Sequence, residues 1–360
     1  MANPSSSHTG DRRTTHVEVI LKGSAFLGHE IVSGLATFAS GRRDWLISSH
    51  HTGFAIDADW LGRREVDGVI AWADRDVISS ARRAGIPAVD LLPRRVVEHP
   101  AVDIDDGAVG GAAADELLAR GFKHLGFCGI GIAWSRAREA SFRQCVAEAG
   151  LDVASIEVPF DPAMRESTRP DDAARLAEWL TRLPKPAGVF ATIDFAAALI
   201  IDLCRGAGLR VPDDVAVLGA GNHEMVCAVA PTPIASIDLN LRGAAEAACV
   251  MLDSLIRNPS AEVTQQGIAP KGVVQRESIE TWAYADPLVR QANALIRSHA
   301  TEGWRATDLA RQLGVSERTL TRRYLAAVGH TPARAMRKAR SKRAAHMIRH
   351  TRLPLSLIAI

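Results

Sequence analysis

The residues whose types and spacing bear most directly on chemistry lie near the C-terminal end of the chain. Arg318, Thr321, Arg322 and Leu325 recur at i, i+3, i+4 and i+7, the spacing that gathers side chains on one face of a helix. Leu320, Tyr324 and Val328 form the opposite, apolar face, with Leu309, Leu313 and Val315 expected behind it. Thr307 and Ser316 are placed to cap helices over 308–313 and 317–328, with Gly314 supplying the turn between them. Such a pair has helix-turn-helix geometry, its second helix offering side chains to a major groove. Arg305, Arg323 and the basic residues of 334–343, among them Arg337, Lys338 and Arg340, are suited to phosphates instead. Phosphate contacts supply affinity and salt dependence but little sequence information.

Charge partition points the same way. The chain has 360 residues and a formal net charge of only +2. Residues 287–360 carry fifteen Lys and Arg against three acids, an excess of twelve positive charges, which leaves the remainder at −10. A basic tail on an acidic body is expected to meet a polyanion. No apolar run reaches the ~18 residues of a membrane span, and residues 1–16 lack the apolar stretch of a secretory signal. The five cysteines are scattered without metal-ligand spacing, which suits a reducing cytoplasm and argues against a zinc site or a disulfide scaffold. No metal and no cofactor is expected. Gly129-Ile-Gly131 and Gly219-Ala-Gly221 are fragments of a dinucleotide fingerprint that Trp134 and Glu224 break, so no enzyme is indicated.

What must position the tail is the 260 residues before it. Short apolar runs at 17–21, 45–49, 68–73, 88–92, 125–129, 156–160, 188–192 and 215–219 alternate with helical patterns at 31–40, 107–120, 137–149, 172–183 and 196–206. Strand–helix alternation with continuous apolar runs predicts parallel sheets covered on both faces. Eight such units fit two doubly wound subdomains or one (β/α)₈ barrel. The pattern breaks at 279–286, after which the chain reads as helix.

A family resemblance then decides between the two. Val211-Pro-Asp-Asp-Val-Ala-Val-Leu-Gly219 is similar to the sugar-binding core of LacI/GalR-type repressors and periplasmic binding proteins. In the same order come Asp105-Asp-Gly, Gly121-Phe-Lys-His-Leu-Gly-Phe-Cys-Gly129, Arg138-Glu-Ala-Ser-Phe142, Ala191-Thr-Ile-Asp194, Pro231-Thr-Pro-Ile-Ala-Ser-Ile, the helix 241–257 and Val273-Val-Gln-Arg-Glu-Ser278. The basic tail resembles an AraC/XylS-type DNA-binding segment. Core first and reader last is the arrangement of the xylose operon regulator family. The resemblance implies an α/β class with two doubly wound parallel-sheet subdomains of the type I periplasmic-binding-protein kind, joined by three crossovers, plus a C-terminal all-α helix-turn-helix domain. The expected partition is a disordered leader at 1–15, an effector-binding core at 16–278, a linker at 279–286 and the reader at 287–360. Thr351 to Ala359 match the opening of a second helix-turn-helix, which on this reading is incomplete, with 353–360 disordered for want of packing partners.

The resemblance also implies roles. Arg318, Thr321 and Arg322 face base edges, an arginine bidentate to guanine discriminating by ~1–3 kcal/mol. Arg138 reaches ligand hydroxyls or carboxylates, and Asp194, at a strand's carboxyl end, accepts from hydroxyls. Trp134, on the loop after strand 125–129, suits the apolar face of a sugar ring, and Trp72 lines the same cleft. Asp105 orients the hinge or caps the helix after it. The chain departs from the sugar-binding pattern at Gly221, where relatives place Asp; Asn222 or His223 substitutes as the polar group. The function so implied is a cytoplasmic, homodimeric transcription regulator that binds DNA under control of a small-molecule effector, a sugar. The alternatives are a solute-binding protein and a fragment impaired in DNA binding.

Overall fold

The computed structural model describes residues 14–21, 25–42, 44–51, 61, 65–72, 74–93, 97–159, 169–258, 264–281, 286–299 and 303–350. Twelve described strands form two six-stranded sheets. The first joins β1 (Thr15–Leu21), β2 (Trp45–His51), β3 (Gly68–Trp72), β4 (Ala88–Leu91), β5 (Ala101–Ile104) and β11 (Gln265–Ile268) in the order β11-β5-β4-β3-β1-β2. The second joins β6 (His124–Gly129), β7 (Val153–Glu157), β8 (Ala187–Ala191), β9 (Val215–Ala220), β10 (Ala235–Asp238) and β12 (Gly272–Val274) in the order β12-β10-β9-β8-β6-β7. Every described pairing is parallel except β10 with β12. The central strands β3, β4, β8 and β9 are buried at every position, as parallel strands covered on both faces must be.

The helices that cover the sheets are α1 (Ala25–Ser40), α2 (Arg75–Arg83), α3 (Asp106–Ala119), α4 (Ala133–Glu148), α5 (Pro170–Arg182), α6 (Asp194–Gly206), α7 (Glu224–Val229) and α8 (Leu241–Arg257). Helices α1 and α8 pack together, α8 against β3, β4 and β5, while α2 packs against β3 and β4. Helices α3 and α4 pack on each other, with α3 against β10 and β12 and α4 against β6. That last approach is close. A Cβ at Gly110 would lie 2.2 Å from the Arg138 carbonyl oxygen, so only glycine lets α3 meet α4 there. Beneath them Phe127, Phe142 and Phe190 form a ring cluster with centroids 5.5–6.2 Å apart.

The chain crosses between sheets three times, from β5 into α3, from β10 into α8 and from β11 into β12. Each crossover leaves a strand of one sheet for an element of the other, so the strands form two separate sheets. The barrel alternative is thereby excluded.

Some elements fall where the sequence does not put them. The run 156–160 gives way to β7 at 153–157, an edge strand with half-buried residues, so its apolar signal is weak. Helix α4 starts at Ala133, which puts Trp134 in a helical first turn and not on a loop.

A helical portion follows: α9 (Pro287–Ser298), α10 (Ala306–Gln312), α11 (Glu317–Val328) and α12 (Pro332–His350). They share one apolar cluster of Leu288, Val289, Ala292, Ile296, Leu309, Leu320, Tyr324 and Met336, with Leu313, Val315 and Val328 packed against it. Residues 1–13 and 351–360, where the leader and the second helix-turn-helix are expected, lie outside the described residues.

Candidate functional site

Arg138 sits where the first crossover enters the second sheet. Arg138 is 0% exposed, its Nε donating to Asp106 Oδ1 at 2.8 Å and an Nη to the Thr192 carbonyl oxygen at 2.8 Å. Trp134, one turn earlier and half-buried, lies under the guanidinium, 4.6 Å from ring centroid to Cζ. Asp106 belongs to the first turn of α3, whose N-cap Asp105 accepts from Ala108 N at 2.8 Å. Asp105 therefore caps the crossover helix, and the neighbouring Asp106, which motif reading passes over, holds the arginine. The signal was the doubled acid at a strand end.

Asp194 opens α6 at the carboxyl end of β8 and is 2% exposed. Ser236 Oγ donates to its Oδ1 at 2.5 Å and His223 N to its Oδ2 at 2.7 Å. Burial pushes this carboxyl up and the His223 imidazole down from their ordinary ranges. The carboxylate thus holds the chain after β9, a role different from the expected reach toward ligand hydroxyls. Ser236 Oγ also accepts from Asn222 N at 2.9 Å, and Arg276 donates to Asn222 Oδ1 at 2.7 Å and to the Ile234 carbonyl oxygen at 2.9 Å. Asn222 is half-buried and left-handed, with φ 52°.

The departure at Gly221 has a structural reason. Its φ is 127°, and a Cβ there would stand 3.0 Å from Asp194 Oδ2. An aspartate at 221 would be strained and would bring a second carboxylate against a buried first one. Trp72 ends β3 but is 5% exposed within the main apolar cluster. Its ring is core, which corrects its expected place as a cleft platform.

In the C-terminal portion, Ser316 caps α11, accepting from Thr319 N at 3.2 Å. Helix α10 begins earlier than expected, with Arg305 rather than Thr307 at its N-cap and Asp308 accepting from Arg305 N. Leu320 and Tyr324 are buried, and Tyr324 Oη donates to Asn293 Oδ1 at 2.5 Å. Arg318 and Arg322 are exposed and Thr321 is half-buried on the opposite face. The phosphate candidates divide. Arg305, Arg337 and Lys338 are exposed. Arg323 instead grips Asp286, the N-cap of α9, with both carboxylate oxygens at 2.6 and 2.5 Å, and Arg340 donates to the Trp304 carbonyl oxygen at 3.2 Å.

Two contacts tie this portion to the core. Arg297 of α9 donates to the Glu280 carbonyl oxygen at 3.0 Å and pairs with Asp213, in the loop before β9. Burial lowers the Arg297 guanidinium to about 10. The segment 279–281 is also anchored: Ile279 and Thr281 are buried, and Arg120 donates to both their carbonyl oxygens. Among the described residues no helix is long and apolar enough to cross a membrane, and no group of three His, Cys, Asp or Glu is placed to hold a metal.

Comparison with known proteins agrees with this fold. A family model described as a periplasmic binding protein-like domain matches residues 114–279. The Xylose operon regulatory protein of Escherichia coli (strain K12) is 27% identical over 301 residues, covering 79% of this chain and 74% of the relative. The solved structure of the xylose-binding transcription activator xylR superposes with a TM-score of 0.74 at 23% identity, over 96% of this chain and 91% of that one. A CelR–cellobiose complex superposes with a TM-score of 0.59 at 23% identity, over 74% of this chain and 85% of that one. Fold and sequence together make this chain similar to the xylose operon regulators, with a periplasmic-binding-protein-like domain that leads into a helical C-terminal portion.

Proposed function

We propose that this chain is a sugar-responsive, DNA-binding transcription regulator that acts as a homodimer in the cytoplasm. The observation that carries the reading is the join of two parts on one chain. A two-lobed fold with three crossovers precedes a capped helix whose exposed face bears Arg318, Thr321 and Arg322. The names of the relatives, a xylose operon regulator and a cellobiose complex among them, support a sugar as effector.

On this reading a sugar enters between the carboxyl edges of the two sheets. Trp134 offers its indole ring to the apolar side of the sugar, and Arg138 holds that ring in place while fixed by Asp106. Asp194 and Ser236 act as positioning residues for Asn222, which presents the polar group that Gly221 does not. Closure of the lobes alters the presentation of two readers on DNA, and a sugar with higher affinity for one state shifts the balance between states. The Arg297–Asp213 pair carries the movement into α9, and α9 carries α11 through Tyr324–Asn293 and Arg323–Asp286.

A thermal-shift screen of pentoses, hexoses, sugar acids and cellobiose tests the cleft. A specific ligand at a hundredfold excess over Kd stabilises by about 2.7 kcal/mol, a shift of roughly 5–10 °C for a core this size. No shift with any sugar would remove sugar from the reading. A shift without DNA binding would favour the solute-binding alternative.

A further inference from the structure

Helix α11 carries one side chain that neither folding nor phosphate attraction explains. Leu325 is 47% exposed, and among the described residues of the C-terminal portion it is the large apolar side chain that stands exposed. A single exposed leucine needs no explanation by itself. Its position does. At ~100° per residue, Leu325 falls between Thr321 and Arg322 around the helix, about 4.5 Å beyond Arg322 along the axis. It therefore shares the face that bears Arg318, Thr321 and Arg322, turned away from the buried Leu320 and Tyr324. In water this is an unfavourable place for an isobutyl group. In a major groove it is not, because thymine presents there an apolar C5-methyl group beside hydrogen-bonding edges.

We propose that Leu325 is a specificity-determining residue that reads a thymine methyl next to the bases read by Arg318 and Arg322. The inference rests on the DNA-binding reading above and adds a base identity to it. The arginine-bearing face fits a polyanion, and the apolar side chain on it gives one position of that polyanion a preference for thymine. Arg318 and Arg322 supply hydrogen bonds that favour guanine, and Leu325 supplies contact that uracil, lacking the methyl, cannot return.

The test uses the full chain and a duplex selected by it from a random DNA pool. Each thymine of that duplex is replaced singly by deoxyuridine, which deletes the methyl and keeps base pairing. For the natural chain, one replacement should weaken binding about three- to fivefold, the value of one buried methyl-sized group. For Leu325→Ala, binding to the thymine duplex should fall by a similar factor, and the same replacement should then have no further effect. Leu325 is exposed, so Leu325→Ala should melt at the temperature of the natural chain. If no deoxyuridine weakens binding by the natural chain, or if Leu325→Ala keeps the full discrimination, the assignment of Leu325 is overturned while DNA binding stands. If no duplex is selected at all, the DNA-binding reading is overturned with it.

Discussion

Two arginines in this molecule are each held by an aspartate, and their surroundings could hardly differ more. Arg138 is fully buried against Asp106, with Trp134 on its face and the Thr192 carbonyl on its edge. Arg323 is bidentate on Asp286 at the surface, where solvent reaches both partners. Removing one partner of the first pair strands a charge away from water, whereas the second pair exchanges with water at little cost. The core uses its arginine to fix the join of two lobes. The C-terminal portion keeps three arginines of α11 at the surface, Arg318 and Arg322 on one face and Arg323 against the carboxylate of Asp286. On the function proposed above, a core that closes on a small neutral ligand gains from a fixed, dry guanidinium, and a surface that meets a polyanion gains from exchangeable ones.

The comparison breaks most easily at Arg138. Arg138→Met should destabilise the core by about 3–5 kcal/mol in denaturant unfolding, because Asp106 is left without its charge partner. Asp106→Asn in the same chain should recover much of that loss. If Arg138→Met costs no more than a surface change, the buried pair does not hold the crossover.

Arg322→Ala should do the reverse. Its melting temperature should match the natural chain, while affinity for a selected duplex falls by ~1–3 kcal/mol, or about 5- to 150-fold. Loss of stability without loss of DNA binding would make α11 a scaffold helix.

Asp194→Asn probes the buried carboxylate by pH. Burial raises the carboxyl of Asp194, so its contribution is fully present below the ordinary aspartate value near ~3.9 and is lost as pH rises through the raised folded value. The variant lacks this titration, so its melting temperature should gain on the natural chain as pH is raised from 4 to 7. Parallel curves would show that Asp194 is not penalised by burial.

The smallest effect is expected at Asp286. The Arg323 hydrogen bonds hold its carboxyl below the ordinary range, so its contribution is present above ~3.9 and fades as pH falls through the depressed value. Asp286→Asn should therefore lower the melting of the C-terminal helices slightly at pH 7, and by less as pH falls through the depressed value. It also frees Arg323 for a phosphate, so the slope of log affinity against log salt should steepen by about one. An unchanged slope would mean that Arg323 does not reach DNA.

The central strands and the α11 pattern were legible because burial and helix period leave plain marks in sequence. Val215–Ala220 is a continuous apolar run, and Glu317–Val328 has a serine cap and two clean faces. Edge strands leave fainter marks. Gln265–Ile268 is polar and mostly exposed, and Gly272–Val274 is three residues long, so neither stands out by composition. Site residues were legible as residue types but not as partners. Nothing local says that Arg138 meets Asp106, since the contact spans a crossover and depends on the close approach at Gly110. Nor does a motif tell that Asp194 is turned inward by Ser236 and His223, or that Trp72 is core. Those depend on which strand lies beside which.

The most direct test of a sugar-controlled DNA reader is the affinity of the full chain for a selected duplex, measured across a salt series with and without D-xylose. The account predicts affinity that falls steeply and linearly in log salt, and a Kd that changes at least about fivefold at saturating sugar, the lower end of an allosteric coupling. A Kd indifferent to D-xylose and to every sugar that binds the core, or indifferent to salt, would contradict it.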